Sequence, residues 1–155
     1  MRELESIISE VPLFEGLSGD QLALLAGCAS NVRFLEGETL FREGDPADTF
    51  LVVRHGSIAL ETFVPTRGSM TIETIEAGEV IGWSWLFPPY RWHFDARALT
   101  VVRGTSFDGA CLRGKTDEDH ELGYALMSRF AQVMMERLQW TRLRLLDVYG
   151  DGRSN

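Results

Sequence analysis

The chain has 155 residues, is 45% hydrophobic, and carries 15 basic against 23 acidic side chains for a net charge of -8. That length allows one domain with a sizeable core, and an acidic balance without any Lys/Arg run excludes a general nucleic-acid binder, whose affinity draws on phosphate neutralisation. No stretch approaches the apolar length that spans a bilayer, and the N-terminal MRELESIISE lacks a signal-peptide core, so a cytoplasmic protein without membrane contact is expected.

In chain order, residues 4–8 read as a short amphipathic helix broken by Val11-Pro12-Leu13-Phe14. Ser18 with Gln21 is a capping-box pattern, and Leu22, Leu25 and Ala26 form a helical stripe that Asn31 is expected to close. From Val32 the pattern changes to short apolar runs between glycine turns. Glu36-Gly37-Glu38 separates two strand candidates, residues 44–48 form a loop, and residues 49–54, 58–64 and 70–75 read as strands. Residues 94–102 read as a long strand. Roughly seven or eight short strands between residues 31 and 103 indicate a sandwich or barrel.

Residues 78–100, GEVIGWSWLFPPYRWHFDARALT, run strand, glycine, short helical turn, proline loop, strand. A glycine turn feeding a helix presents free backbone N–H groups that can hold an anion. An aromatic and proline cluster is more often the material of core and loop packing than of a ligand site, and both readings stay open.

Beyond this stretch, residues 107–112 suggest a helical turn and 113–115 a loop. A long helix is expected over 116–149, capped by Thr116 with Asp119, and Leu122, Leu126, Phe130, Val133, Met134, Leu138, Leu145 and Leu146 carry its apolar stripe towards Tyr149. About thirty residues span about 45 Å, more than a small domain covers. The surplus predicts a parallel homodimer with Leu122, Leu126, Phe130, Val133, Met134 and Leu138 at the contact; the alternative is a helix folded back across its own barrel. Residues 147–152 read as natural helix termination before a polar tail, which favours a stand-alone domain.

Chemistry-bearing motifs are absent. His55, His93 and His120 are isolated, with no HxH, so no metal site is expected. Ser18, Ser57 and Ser84 lack a GxSxG context, and there is no GxGxxG or P-loop. The chain does not read as an enzyme. Cys28 and Cys111 belong to no CxxC and have no nearby histidine; reduced, packed thiols are expected.

The organisation resembles the cyclic-nucleotide-binding domains of the catabolite activator and fumarate-nitrate regulator superfamily. VPLFEGLSGDQLALLAG is similar to the family's helical lead-in, and FLEGETLFREGDPADTFLVVRHGSIAL to its first strands, including Gly37, Gly44, Asp45 and Gly56. GEVIGWSWLF resembles the start of its phosphate-binding cassette, DARALT the strand after it, and the helix from Asp117 the family's dimerising helix. The resemblance covers residues 11–149. It implies a mainly β fold with flanking helices: a double-stranded β-helix (jelly-roll) barrel at 31–103, short N-terminal helices and a long C-terminal helix, within a single domain at 1–150.

In the family the cassette reads glycine–glutamate, a short helix, then arginine followed by serine or threonine. The glutamate accepts a ribose hydroxyl and the arginine pairs with the cyclic phosphate. Here Gly82 matches the glycine, Trp83 stands at the glutamate, and Glu79 belongs to the preceding turn. Trp92 and His93 fall opposite the arginine and the hydroxyl residue, with Arg91 beside them. Arg97 matches a strand arginine that is structural in the family. An indole only donates, and losing a charge-assisted acceptor costs roughly 2–3 kcal/mol, which moves a micromolar site towards millimolar. Weak or no binding of cyclic AMP or cyclic GMP is therefore expected.

The candidate ligand residues are Gly82, Trp83, Ser84, Trp85, Arg91, Trp92 and His93. A small anion would meet the N–H groups of Ser84 and Trp85, with Arg91 as counter-charge. The functional expectation is a non-catalytic ligand-sensing regulatory module without a cofactor. One alternative is a dimeric scaffold, open to a protein partner, whose pocket is filled by Trp83, Trp85, Phe87, Tyr90 and Trp92. Another is the sensor half of a transcription regulator, with no nucleic-acid contact by this chain alone because no helix-turn-helix is present.

Overall fold

Ser18 accepts a hydrogen bond from the Gln21 amide while the Gln21 side chain accepts one from the Ser18 amide, and this reciprocal cap starts α2 (Gly19–Ala26). The computed structural model describes residues 2–153. Ahead of α2 lie α1 (Arg2–Ser9) and a single 3-10 turn, Pro12–Phe14. Asn31 does not close the helical part. It sits inside β1 (Ala29–Phe34), opposite Thr105, because the chain turns into the sheet directly after α2.

The remaining strands are β2 (Thr39–Phe41), β3 (Thr49–His55), β4 (Ile58–Val64), β5 (Gly68–Ile75), β6 (Val80–Ile81), β7 (Asp95–Ala98) and β8 (Val102–Asp108). They form two antiparallel four-stranded sheets, ordered β1-β8-β3-β6 and β2-β7-β4-β5. This is the jelly-roll arrangement. The expected long strand at 94–102 is two strands in different sheets, since the chain crosses from one sheet to the other between Ala98 and Val102.

Period-two alternation divides the apolar residues between two cores. Leu51, Val53, Ile58, Leu60, Ile75, Ile81, Ala96, Ala98 and Val102 face inward and fill the barrel between the sheets. The alternate residues of the first sheet, Phe50, Val52 and Phe107, face outward and are covered by helices through Ile8, Phe14, Leu25, Leu112, Leu122, Leu126 and Phe130.

The C-terminal helices begin elsewhere than expected. Phe107 stays in β8, and the Asp108 carboxylate accepts the Cys111 amide to cap α3 (Gly109–Glu118), which absorbs the expected loop at 113–115. Thr116 is interior to α3, its hydroxyl bonded to the Arg113 carbonyl. Asp119 breaks the helix and accepts the Leu122 amide, so that α4 (His120–Arg153) starts there. α4 continues through Gly150 and Gly152, which were expected to end it; the last residues of the polar tail, Ser154 and Asn155, lie outside the described residues.

Cys28 and Cys111 are joined by a disulfide, with Cα atoms 5.7 Å apart across a sequence separation of 83. The expectation of free thiols fails because β1 pairs with β8, which brings the residue before β1 beside the first turn of α3. Closing a loop of this size removes roughly 4–5 kcal/mol of unfolded-state entropy on the chain-entropy account.

The expected dimer contact is also revised. Leu122, Leu126 and Phe130 are at most 1% exposed inside their own protomer, because they cover the outward aromatics of the first sheet. Val133 and Met134 are half-buried, whereas Leu138 is 51% exposed. Tyr124, Ala131, Leu138 and Leu145 recur every seven residues on the open side of α4, with Met127 also exposed between the first two, whereas Met134 packs against the core. That is the spacing of a coiled-coil seam. Phe130→Ala is accordingly expected to cost about 3–5 kcal/mol of folding stability, read by urea denaturation, because it removes a ring packed edge-on to Phe50 and Trp85.

Candidate functional site

Two backbone segments decide where the cassette side chains point. The Gly44 amide donates to the Trp92 carbonyl at 2.9 Å, the Trp92 amide to Asp45 at 3.0 Å, and the Ala47 amide to Tyr90 at 2.7 Å. Residues 90–92 are thereby pinned beside the 44–47 loop, with Tyr90 at φ 54 and Pro46 and Arg91 forming an isolated antiparallel bridge. Trp92 turns inward and is 4% exposed, whereas Arg91 and His93 turn outward and are exposed. Arg91 spends a guanidinium N–H on the Gly44 carbonyl at 3.1 Å.

Inside the barrel the Trp92 indole stacks on Phe41, centroids 3.7 Å apart and planes 7° from parallel. Its far edge lies against Gly82: a Cβ built there would meet Trp92 Cη2 at 2.6 Å and Cζ3 at 2.9 Å, and Gly82 also has φ +99. Only glycine satisfies both conditions. The space left, lined by Val32, Phe34, Leu40, Phe41, Thr49, Leu51, Ile81, Trp92 and Ser106, is about 60 Å³.

The other cassette aromatics do not join Trp92. Trp83 precedes the 3-10 turn Ser84–Leu86, and its ring lies under the Arg137 guanidinium of α4, 4.8 Å from the centroid. Trp85 is 1% exposed in the helix-covered core, between Phe50 and Phe130, and its Nε1 has no hydrogen-bond partner among the described residues. Ser84 is buried beside it. Phe87 is 57% exposed, and the Tyr90 ring lies under the Arg113 guanidinium at 4.5 Å. Of the aromatics expected to fill the cavity, Trp92 does so. The structure likewise separates the expected anion ligands: Arg91 faces outward, while Ser84 and Trp85 are buried under α3 and α4.

Sequence reasoning missed three residues. Arg137 donates to the Val80 carbonyl and holds α4 to β6; burial pushes its pKa down, against the pull of Glu73 and Glu79. Its signal was visible, since Leu122, Leu126, Phe130, Val133 and Arg137 share helical spacing on one face. Arg113 donates to the Trp85 carbonyl, and Phe41 supplies the stacking face for Trp92; neither carried a local signal. Arg97 is structural as expected. Nε donates to Glu61 Oε1 at 3.0 Å and Nη2 to Oε2 at 3.1 Å, and the hydrogen-bonded carboxylate raises its pKa.

The sequence profile of the cyclic nucleotide-binding domain matches residues 31–119. The chain belongs to this family. It is 24% identical over 145 residues to a CRP-like cAMP-activated global transcriptional regulator of Mycobacterium tuberculosis, covering 94% of this chain and 63% of that protein. The chain thus spans less than two thirds of the length of that regulator. Among solved structures, the N-terminal domain of a transcriptional regulator from Streptomyces coelicolor superposes with TM-score 0.69 at 30% identity, covering 90% of this chain and 95% of that one. A cyclic nucleotide-binding domain from Methylobacillus flagellatus superposes with TM-score 0.79 at 21% identity, covering 94% and 82%. The chain is therefore similar to domains of transcriptional regulators, and no helix of its described residues is long and apolar enough to cross a membrane.

Two substitutions separate the inward from the outward residue. Trp92→Ala is expected to cost about 3–5 kcal/mol, and Arg91→Ala to stay within about 0.5 kcal/mol of the parent, both by chemical denaturation. Equal losses would contradict the inward placement of Trp92.

Proposed function

We propose that this chain is a non-catalytic regulatory module whose barrel is closed to cyclic nucleotides by its own tryptophan. The observation that carries the reading is Trp92, stacked on Phe41 and seated against Gly82, which leaves about 60 Å³. Small-molecule sites commonly measure about 300–1,000 Å³. Two further features support it. At the family's glutamate position stands Trp83, engaged with Arg137. The nearest guanidinium in sequence, Arg91, is turned to solvent and bonded to Gly44. A cyclic nucleotide would have to displace a buried indole and would meet Trp83 where the family places the carboxylate for its ribose.

Calorimetric titration of the whole chain with cyclic AMP, cyclic GMP and cyclic dinucleotides is expected to give no saturable heat at micromolar ligand. Submicromolar binding of cyclic AMP, lost on Trp92→Ala or Arg91→Ala, would overturn the reading.

The module acts as a parallel two-fold dimer through the open side of α4. The heptad recurrence of Tyr124, Ala131, Leu138 and Leu145 supports this, together with the exposure of every residue from Leu138 to Asp147. Light scattering should give about twice the 17.4 kDa chain mass, and Leu138→Asp should return the mass to that of one chain with the fold intact. A parent protein of single-chain mass at all concentrations would refute the dimer.

A second reading, sensor half of a longer transcription regulator, is favoured by the 63% coverage of the CRP-like relative. The net charge of -8 then predicts that DNA contact resides outside this chain. Fluorescence anisotropy with duplex DNA at physiological salt should show no submicromolar binding.

A further inference from the structure

The cysteine pair sits at a mechanical junction. Cys28 lies between α2 and β1, its amide bonded to the Leu25 carbonyl and its own carbonyl accepting the Asp108 amide at 2.9 Å. Cys111 lies in the first turn of α3, its amide bonded to Asp108 Oδ1. The disulfide therefore ties the start of α3 to the end of α2.

The rest of α3 grips the cassette. The Gly109 amide donates to the Asp48 carbonyl, and a Cβ on Gly109 would meet both that oxygen and Trp85 Cβ at 2.9 Å. Arg113 donates to the Trp85 carbonyl and covers the Tyr90 ring. Through Asp119, α3 passes directly into α4. Whatever holds α3 thus holds the cassette turn and the root of the long helix together.

We propose that Cys28 and Cys111 form a reversible dithiol–disulfide switch that sets how firmly α3 clamps the cassette. Cys111 is half-buried and the more exposed of the two, whereas Cys28 is 7% exposed, so exchange starts at Cys111. A low-molecular-weight thiolate attacks Sγ of Cys111; the S–S bond breaks and Cys28 leaves as a thiolate that takes a proton. A second small thiol then attacks the mixed disulfide and frees Cys111. In sum the protein gains two electrons and two protons, and the small thiols leave as their disulfide. The reverse exchange, with that disulfide as oxidant, re-forms the bond. Bonds of this kind in reducing compartments are mostly transient or redox-sensing.

Reduction loosens α3 without detaching it. The Lys115 side chain lies over Gly27 at the carboxyl end of α2, with Nζ 3.7 Å from where a Gly27 Cβ would stand, and a cation is favourable at a helix C-terminus. Arg113 and the α3–α4 turn also remain.

The test is equilibration of the whole chain in glutathione buffers of stepped thiol-to-disulfide ratio, with alkylation mass shifts reporting the bonded fraction and amide hydrogen exchange reporting mobility. Expected is a reversible conversion of the two cysteines together, with exchange in residues 84–90 and 109–118 at least tenfold faster in the reduced form and β3 and β4 unchanged. Cys28→Ser/Cys111→Ser should fold, exchange like the reduced parent and ignore the buffer. The proposal is overturned if the bond resists every buffer, if reduction leaves 84–90 and 109–118 unchanged, or if reduced parent and double variant both unfold, since the bond is then only a staple.

Discussion

Phe50 is the residue on which the parts of this molecule meet. It stacks on Phe107 of the neighbouring strand with centroids 4.5 Å apart, lies 5.5 Å from Trp85 of the cassette turn, and takes the edge of Phe130 from α4 at 5.1 Å. Four rings from four elements thus close one contact. Rings in offset or edge-on contact contribute roughly 0.5–1.5 kcal/mol per pair beyond area burial. Without this cluster the barrel would have no defined seat for either the cassette or the long helix. It also explains why Leu122, Leu126 and Phe130 serve their own protomer: the outward face of the first sheet needs a cover, and α4 is that cover.

A second theme is the use of arginine as a packing group. Arg97 forms a two-point fork with Glu61 across β7 and β4. Arg113 spans the Trp85 carbonyl and the Tyr90 ring, Arg137 the Val80 carbonyl and the Trp83 ring, and Arg129 the Glu15 and Ala125 carbonyls. A planar guanidinium can donate in its plane and cover an aromatic face at once, which an ammonium cannot do as well. Four of the fourteen arginines of the chain are used as packing groups. Each of these four arginines fastens one element to another.

Closure of the barrel and the grip on the cassette are physically linked. Trp92 fills the interior from one side of the proline loop, while Trp83 and Trp85 anchor the other side to the helices. The loop between them is held at both ends, by Phe41 in the barrel on one side and by α4 on the other.

The sequence by itself determined the elements whose signals are local. The Ser18–Gln21 cap, the strand at 58–64, the glycine turns and the order of motifs were readable, because capping, alternation and turn chemistry act over a few residues. The structural role of Arg97 came from the family resemblance rather than from a local signal. Only the tertiary structure decided the rest. Arg91, Trp92 and His93 looked like one cluster, but backbone bonds to residues 44–47 hold the segment so that the middle one is buried and its neighbours are exposed. Cys28 and Cys111 looked unrelated until β1 paired with β8. The stripe on α4 looked like one interface, but its first part packs on its own barrel and the rest is exposed, since the width of the first sheet sets how much of the helix the barrel covers. Each depends on which distant segment lies alongside, and no local pattern encodes that.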